Sequence, residues 1–374
     1  MKKTVIGRAV VISLCVLLCA GLFSCGKKPY AMKLYNVSFS DKIYVYYMAC
    51  YKQYWLTMLG KTDSAEFWEA ESDGVKNSDR LREISEDALK KRLVSNYLFD
   101  VYQLKLTSEE TKAIDQLVTR ISNMMNDASA GTAGVKADDV FGELDISESD
   151  LKEILTIDAK TAALQDHFYG EEGIAKITDE QREKYYNENY YRFRLLYLMD
   201  GDFVRDNDGN IVYNDEGAAK TTEISDERYE EKLALAKDIL QKVRAGEDIE
   251  GYIEEYSEEL EKDDYKNGHY LCSVNEYGSL ISASVMKLKI NETGLLDTKY
   301  GIYVIQRIEL DPGAWKDPEN EAGEDFYNFE QLVTEKEFDD HLANFYDGIE
   351  IDRSVTDKYK MEELPYTFLW QYVF

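Results

Sequence analysis

Tyr44, Tyr47, Tyr51 and Trp55 recur at spacings of three and four, which puts them on one face of a helix. With Tyr54, Trp68 and Tyr97 they form the chemistry this sequence offers most plainly. Large amphipathic rings give wide contact at small entropic cost, and they meet both the apolar side chains and the open backbone of an unfolded chain. The same spacing also describes an ordinary buried helix face, and both readings stand on the sequence alone. Other chemistries find less to work with. Three His in 374 residues argue against a multi-histidine metal site, so no metal and no cofactor is implied. No segment shows the His-partnered nucleophile of a serine or cysteine hydrolase. Among 73 Asp and Glu, no pair is singled out for glycoside hydrolysis. Set against 44 Lys and Arg, these acids give a net charge of −29. That balance opposes nucleic acid as a partner, because phosphates need a basic face, and opposes an electrostatic grip on anionic lipid.

The elements that must position these residues begin after an address. Lys2, Lys3 and Arg8 precede an uncharged apolar run, Ala9 to Ser24. The run is shorter than the roughly 20 residues of a spanning helix and reads as a secretory signal peptide over 1–24. It ends in Leu22-Phe23-Ser24-Cys25, which resembles a bacterial lipobox, where the Cys is lipidated and becomes the first residue. Cys25 is therefore the expected lipidation site, and the expected place is the extracytoplasmic face of the cell membrane. With Cys15 and Cys19 removed, only Cys50 and Cys272 remain in the body. This is not a disulfide scaffold, and whether those two pair stays open.

The body falls into three parts. Over 25–190 the text is helical: Ser40-Asp41 caps a helix through Leu59, Ala88–Leu106 forms another, and Ser147 opens one to about Tyr169. Thr107-Ser-Glu-Glu110 and Thr178-Asp-Glu-Gln181 are capping boxes. Over 191–312 the period changes. Arg192 to Met199 is short and densely apolar, as a buried strand is; Ile211-Val212-Tyr213 suggests a small hairpin. Ser225 caps a helix through Arg244, Ile249–Tyr256 is a shorter one, Asp263 to Gly278 is loop, and Tyr303-Val304-Ile305 is a strand. Over 313–374 a helix from Asn328 to Gly348 is followed by the apolar tail Pro365–Phe374, either packed on the body or offered to a partner as a strand. The fold class is α+β: a mostly helical lobe with an inserted domain that carries a small antiparallel sheet flanked by helices.

The middle part resembles a parvulin-type peptidyl-prolyl isomerase domain. The resemblance rests on Tyr197-Leu198-Met199 in the opening strand, Gly246-Glu-Asp-Ile249 followed by Ile253-Glu-Glu-Tyr256-Ser257, the reduced loop Asn267-Gly268-His269-Tyr270-Leu271, and Thr298-Lys-Tyr-Gly301-Ile-Tyr303-Val304-Ile305 at the close. The ordered set carries it, over about Arg192 to Glu309. The helical flanks and the lipobox resemble the exported PrsA- and SurA-type foldases, with a chaperone-like lobe of SurA N-terminal type.

The resemblance implies rotation about X–Pro bonds. Uncatalysed, that takes tens to hundreds of seconds over a barrier of about 18–20 kcal/mol. A catalyst must favour the twisted amide over the planar one beside an apolar cup. By the same resemblance Tyr197 and Tyr303 stand at the family's two His positions, and Glu259 at its Cys or Asp position. Tyr270, Tyr277, Ile281 and Met286 stand at the substrate-binding cup. Tyr donates and accepts hydrogen bonds but stays neutral near pH 7. A site active through tyrosines, a binding groove without turnover, and plain core aromatics all remain open. His269 reads as a solvent-facing loop residue. The expected partners are unfolded or partly folded exported proteins and, through Cys25, the membrane. The rivals are a solute-binding lipoprotein, which needs repeated βαβ units that are not found, and an interaction protein on an inactive parvulin fold.

Overall fold

The computed structural model describes residues 30–126, 131–132, 135–136, 144–274, 279–316 and 326–365. Besides two-residue hairpins and short 3₁₀ turns, its elements in chain order begin with β1 (Met32–Leu34), β2 (Val37–Phe39), α1 (Asp41–Leu59), α2 (Ala65–Glu69), α3 (Asn77–Val101), α4 (Ser108–Asn126), α5 (Glu148–Tyr169) and α6 (Asp179–Asn189). There follow β3 (Tyr190–Met199), α7 (Asp226–Arg244), α8 (Ile249–Tyr256), β4 (His269–Cys272), α9 (Leu280–Lys287), β5 (Thr293–Thr298), β6 (Gly301–Ile308), α10 (Phe329–Ala343), β7 (Glu350–Ile351) and α11 (Arg353–Thr356). The class is α+β. The signal segment, Cys25, Tyr277 and the tail beyond Pro365 lie outside the described residues. Among the described residues no helix is long and apolar enough to cross a membrane.

The chain divides into two compact units, Met1–Lys176 with Glu337–Phe374, and Ile177–Lys336. The inserted unit is wider at both ends than the 191–312 read from the sequence. Tyr185, Tyr186 and Tyr190 share one core with Trp315, Phe326, Phe329 and Val333, which draws the flanks in.

In the helical unit the caps act where the sequence places them. Ser40 Oγ accepts the Ile43 N–H, Thr107 and Glu110 bond reciprocally, and Ser147 pairs with Asp150 in a capping box. The aromatics are not an exposed wall: Tyr44 and Tyr47 of α1 are 0% exposed and Trp68 of α2 is 1% exposed. Tyr51, Trp55 and Tyr97 are half-buried against the same core, and Tyr54 is half-buried. Helix α1 packs on α3, α5 and the segment carrying α11, so its aromatic face is consumed by helix contacts. The Tyr44 and Tyr47 hydroxyls are satisfied. Tyr44 donates to Glu86 Oε1 (2.8 Å), whose carboxylate takes both Arg353 guanidinium nitrogens (2.5 and 2.9 Å). Tyr47 donates to Asp158 (2.9 Å), which Arg92 also holds (2.7 Å). Lys52 is 0% exposed; its ammonium donates to the Leu364 carbonyl (2.6 Å) and pairs with Asp63 (2.8 Å). Strand β1 lies between β2 and β7, both antiparallel to it.

The inserted unit is built on an antiparallel sheet of order β4-β3-β6-β5. Alternation along its strands gives two faces. Leu196, Leu198, Ile302 and Val304 pack on Leu233, Ala236 and Ile239 of α7 and on Ile249 of α8. Phe193, Leu195 and Ile305 point the other way, onto Val285 of α9. Strands β4 and β5 fall where the sequence reads as loop or goes unassigned. Cys50 and Cys272 are buried, one in each unit, and no disulfide is present among the described residues.

Candidate active site on the α9 face of the sheet

Strands β3 and β6 pair in a register that sets Tyr197 directly opposite Tyr303. Both belong to the α9 face, and their rings stack with centroids 4.8 Å apart and planes 15° from parallel. The hairpin before β6 makes room for this. Gly301 has φ +139°, and a Cβ there would stand 2.5 Å from the Leu198 carbonyl oxygen and 2.7 Å from the Tyr197 ring. Only glycine admits both the backbone conformation and the close ring. The Tyr197 hydroxyl donates to the Tyr300 carbonyl at 2.8 Å. Burial, then the neighbouring Tyr303 hydroxyl, push Tyr197 up to about 12. Burial also raises Tyr303, against the pull of the Tyr197 hydroxyl and with the Glu259 carboxylate adding to the rise. Both rings therefore present neutral hydroxyls at neutral pH.

The third member arrives from beyond α8. Strand β4 covers only Tyr190 to Phe193 of β3. The rest of that edge is taken by Ser257 and Glu258: the Tyr197 N–H donates to Ser257 Oγ (3.2 Å), and the Glu258 N–H donates to the Tyr197 carbonyl (2.8 Å). An extended stretch laid along a strand turns successive side chains to opposite faces. Glu258 turns toward α7, where Lys232 meets it, and Glu259 toward the tyrosines. Glu259 Oε2 stands 3.6 Å from His269 Nε2.

His269 corrects the sequence reading. It opens β4 opposite Phe193, so it shares the face of Tyr197 rather than pointing to solvent from a loop. Its side chain is 14% exposed and lies between the rings of Tyr265 (4.0 Å) and Phe193 (5.2 Å). The missing signal was the strand itself, four residues without a β-branched side chain.

The structure thus brings Tyr197, Tyr303 and Glu259 together, adds His269, and sets Ile281 and Met286 of α9 against the same apolar cluster as Tyr303. Tyr270 does not join them. It pairs with Arg192, one residue out of phase with the site, and is buried on the opposite face against Tyr186, Phe326 and the Arg192 guanidinium. Tyr277 lies outside the described residues. The arrangement offers two neutral hydroxyls, one carboxylate and one imidazole beside an apolar floor. That is the equipment for hydrogen-bonding an amide in an apolar setting, with no nucleophile required. Among the described residues no three His, Cys, Asp or Glu are gathered as a metal would need.

No protein-family model matches the chain, and no curated protein matches it. Solved structures do. PrsA from Bacillus subtilis is 15% identical, with 79% of this chain and 93% of that one covered and a TM-score of 0.23. A peptidylprolyl isomerase (PrsA) from Bacillus anthracis is 14% identical over 72% of this chain and 99% of its own, with a TM-score of 0.26. The foldase protein PrsA from Streptococcus pneumoniae is 11% identical over 77% and 97%, with a TM-score of 0.23.

Proposed function

We propose that this protein is an extracytoplasmic folding factor whose inserted unit binds proline-bearing segments of unfolded exported chains on the α9 face of its sheet. The observation that supports this most is the register pairing of Tyr197 with Tyr303 beside Glu259. Those are the three positions at which the parvulin resemblance puts the reacting groups. The proline ring sits on the apolar floor that Ile281 and Met286 help to build, and the hydroxyls and Glu259 address the flanking amide. Bond rotation makes and breaks no covalent bond, so isomerisation needs only that these contacts be stronger for the twisted amide. Cys25 supplies a lipid anchor at the membrane surface. The body from Cys25 onward, at net charge −32 once Lys2, Lys3 and Arg8 are removed from the −29 of the full chain, leaves the acyl chains to hold it there.

The test is proline-limited refolding of a model substrate with and without the chain from Gly26 onward, with aggregation of the same substrate followed in parallel. Acceleration that is lost in Tyr197→Phe with Tyr303→Phe supports isomerisation through tyrosines. Suppressed aggregation with no acceleration supports a holding chaperone on a parvulin-like fold. Absence of both effects would refute the proposal.

A further inference from the structure

Lys232 lies on α7 and is 4% exposed, yet its ammonium is fully engaged. It donates to the Met199 carbonyl (3.0 Å) and the Gly201 carbonyl (2.7 Å), and it reaches both Glu258 carboxylate oxygens (2.9 and 2.8 Å), with Asp202 Oδ1 at 3.4 Å. Glu258 Oε2 also accepts the Met199 N–H at 2.7 Å. An apolar pin would hold α7 against the sheet equally well. What the charged pin adds is direction, because a buried charge must keep its partners and the partners cannot turn away. With Glu258 drawn to the α7 side, chain alternation leaves Glu259 no choice of face. On the other flank Lys262 donates to the Glu254 and Ser257 carbonyls (both 3.0 Å), closing the end of α8.

We infer that Lys232, acting through Glu258, is a positioning residue that sets Glu259 beside Tyr303 and His269. The inference deepens the proposed function, since it rests on reading that face as the peptide-binding site.

The test uses the whole chain with labelled histidine. Its three imidazoles give three NMR signals, and His269→Gln identifies the one beside Glu259. Glu259→Gln moves that signal. The double variant Lys232→Met with Glu258→Gln removes the buried charge and that of its half-buried partner while keeping an acceptor for the Met199 N–H. It moves the His269 signal in the same direction and leaves those of His167 and His341 in place. Lys232→Arg keeps the charge but brings a planar fork that does not fit this pocket of acceptors, and it serves if the double variant unfolds. Proline-peptide affinity in the variants falls by about tenfold, as in Glu259→Gln. A His269 signal that responds to Glu259→Gln but not to the Lys232 variants would overturn the inference, as would a signal that ignores Glu259→Gln. Wild-type protein that binds no peptide, but whose His269 signal follows Lys232, would refute the function and uphold the positioning.

Discussion

Tyr197→Phe keeps the stacked ring and removes one hydroxyl. The hydrogen bond lost is the one to the Tyr300 carbonyl, at 2.8 Å. Tyr300 sits on an exposed turn where water replaces the donor, so the loss is at the low end for a hydrogen bond, about 0.5 kcal/mol. The same hydroxyl has its pKa pushed up to about 12, first by burial and then by Tyr303. An ordinary tyrosine titrates near pH ~10, and that separation corresponds to about 2.7 kcal/mol for a group wholly removed from water. This hydroxyl is only half-buried, and solvent screening brings the figure to about 1 kcal/mol. A folded-state value raised above the unfolded one gives stability that is complete below the unfolded value and lost as pH climbs through the folded one. Wild type therefore leads the Phe variant by about 0.5 kcal/mol near neutrality and trails it by a similar amount once the pH passes ~12. Urea unfolding followed by circular dichroism, stepped upward from about pH 8, measures the gap directly. The tyrosines other than Tyr303, which the Tyr197 hydroxyl touches, titrate alike in both proteins and cancel. A gap that stays constant or widens between about pH 10 and 12 would refute the burial argument.

Three further outcomes follow from the packing. Gly301→Ala forces a Cβ to 2.5 Å from the Leu198 carbonyl at φ +139°. It costs about 2–3 kcal/mol in urea unfolding and displaces the Tyr197 ring; a loss below about 0.5 kcal/mol would show that the hairpin relaxes freely. Arg353→Ala strands the buried Glu86 carboxylate with the Tyr44 hydroxyl, which lowers stability by about 2–3 kcal/mol, and adding Glu86→Leu recovers part of it. If the double variant is no better than the single, the burden is not the unpaired charge. Lys52→Met releases the Leu364 carbonyl, and limited proteolysis then cuts the segment after α11 faster than in wild type. Unchanged cutting would mean the apolar contacts alone hold it.

Most helices were legible because their signals are local; the one read as Ala88–Leu106 is instead α3, Asn77–Val101, whose start after Lys76 carries no side-chain cap to mark it. Ser40, Ser147, Thr178 and Ser225 each cap the helix they precede, and the α1 boundaries match the sequence reading residue for residue. The short strands β1, β2 and β7 were not legible, and neither were two strands of the inserted sheet. Thr293–Thr298 contains Gly and two Leu, and His269–Cys272 is four residues long; neither has the β-branched run that marks a strand alone. Pairing with β6 and β3 makes them extended, and pairing is not local. The errors at the site come from the same source. Without β4 there is no register, and without register His269 and Tyr270 cannot be assigned to faces, so one was left to solvent and the other placed in the wrong pocket. The aromatic stripe of α1 was read correctly as one face; what it met, α3 and α5, lies more than one helix away in sequence.

The sheet of the helical unit has a consequence for the order in which this protein comes into being. Tyr30, just ahead of β1, bonds Glu350 across 320 residues, and β1 finds β7 only at Glu350–Ile351. A chain that emerges N-terminus first brings out β1 and β2 long before their third strand. The whole inserted unit must pass in between, and loop closure over such a span is slow. During that interval β1 has an open edge, the kind of surface on which incomplete chains associate. A protein proposed to shelter unfinished neighbours thus spends nearly its entire synthesis as an unfinished chain of the same kind.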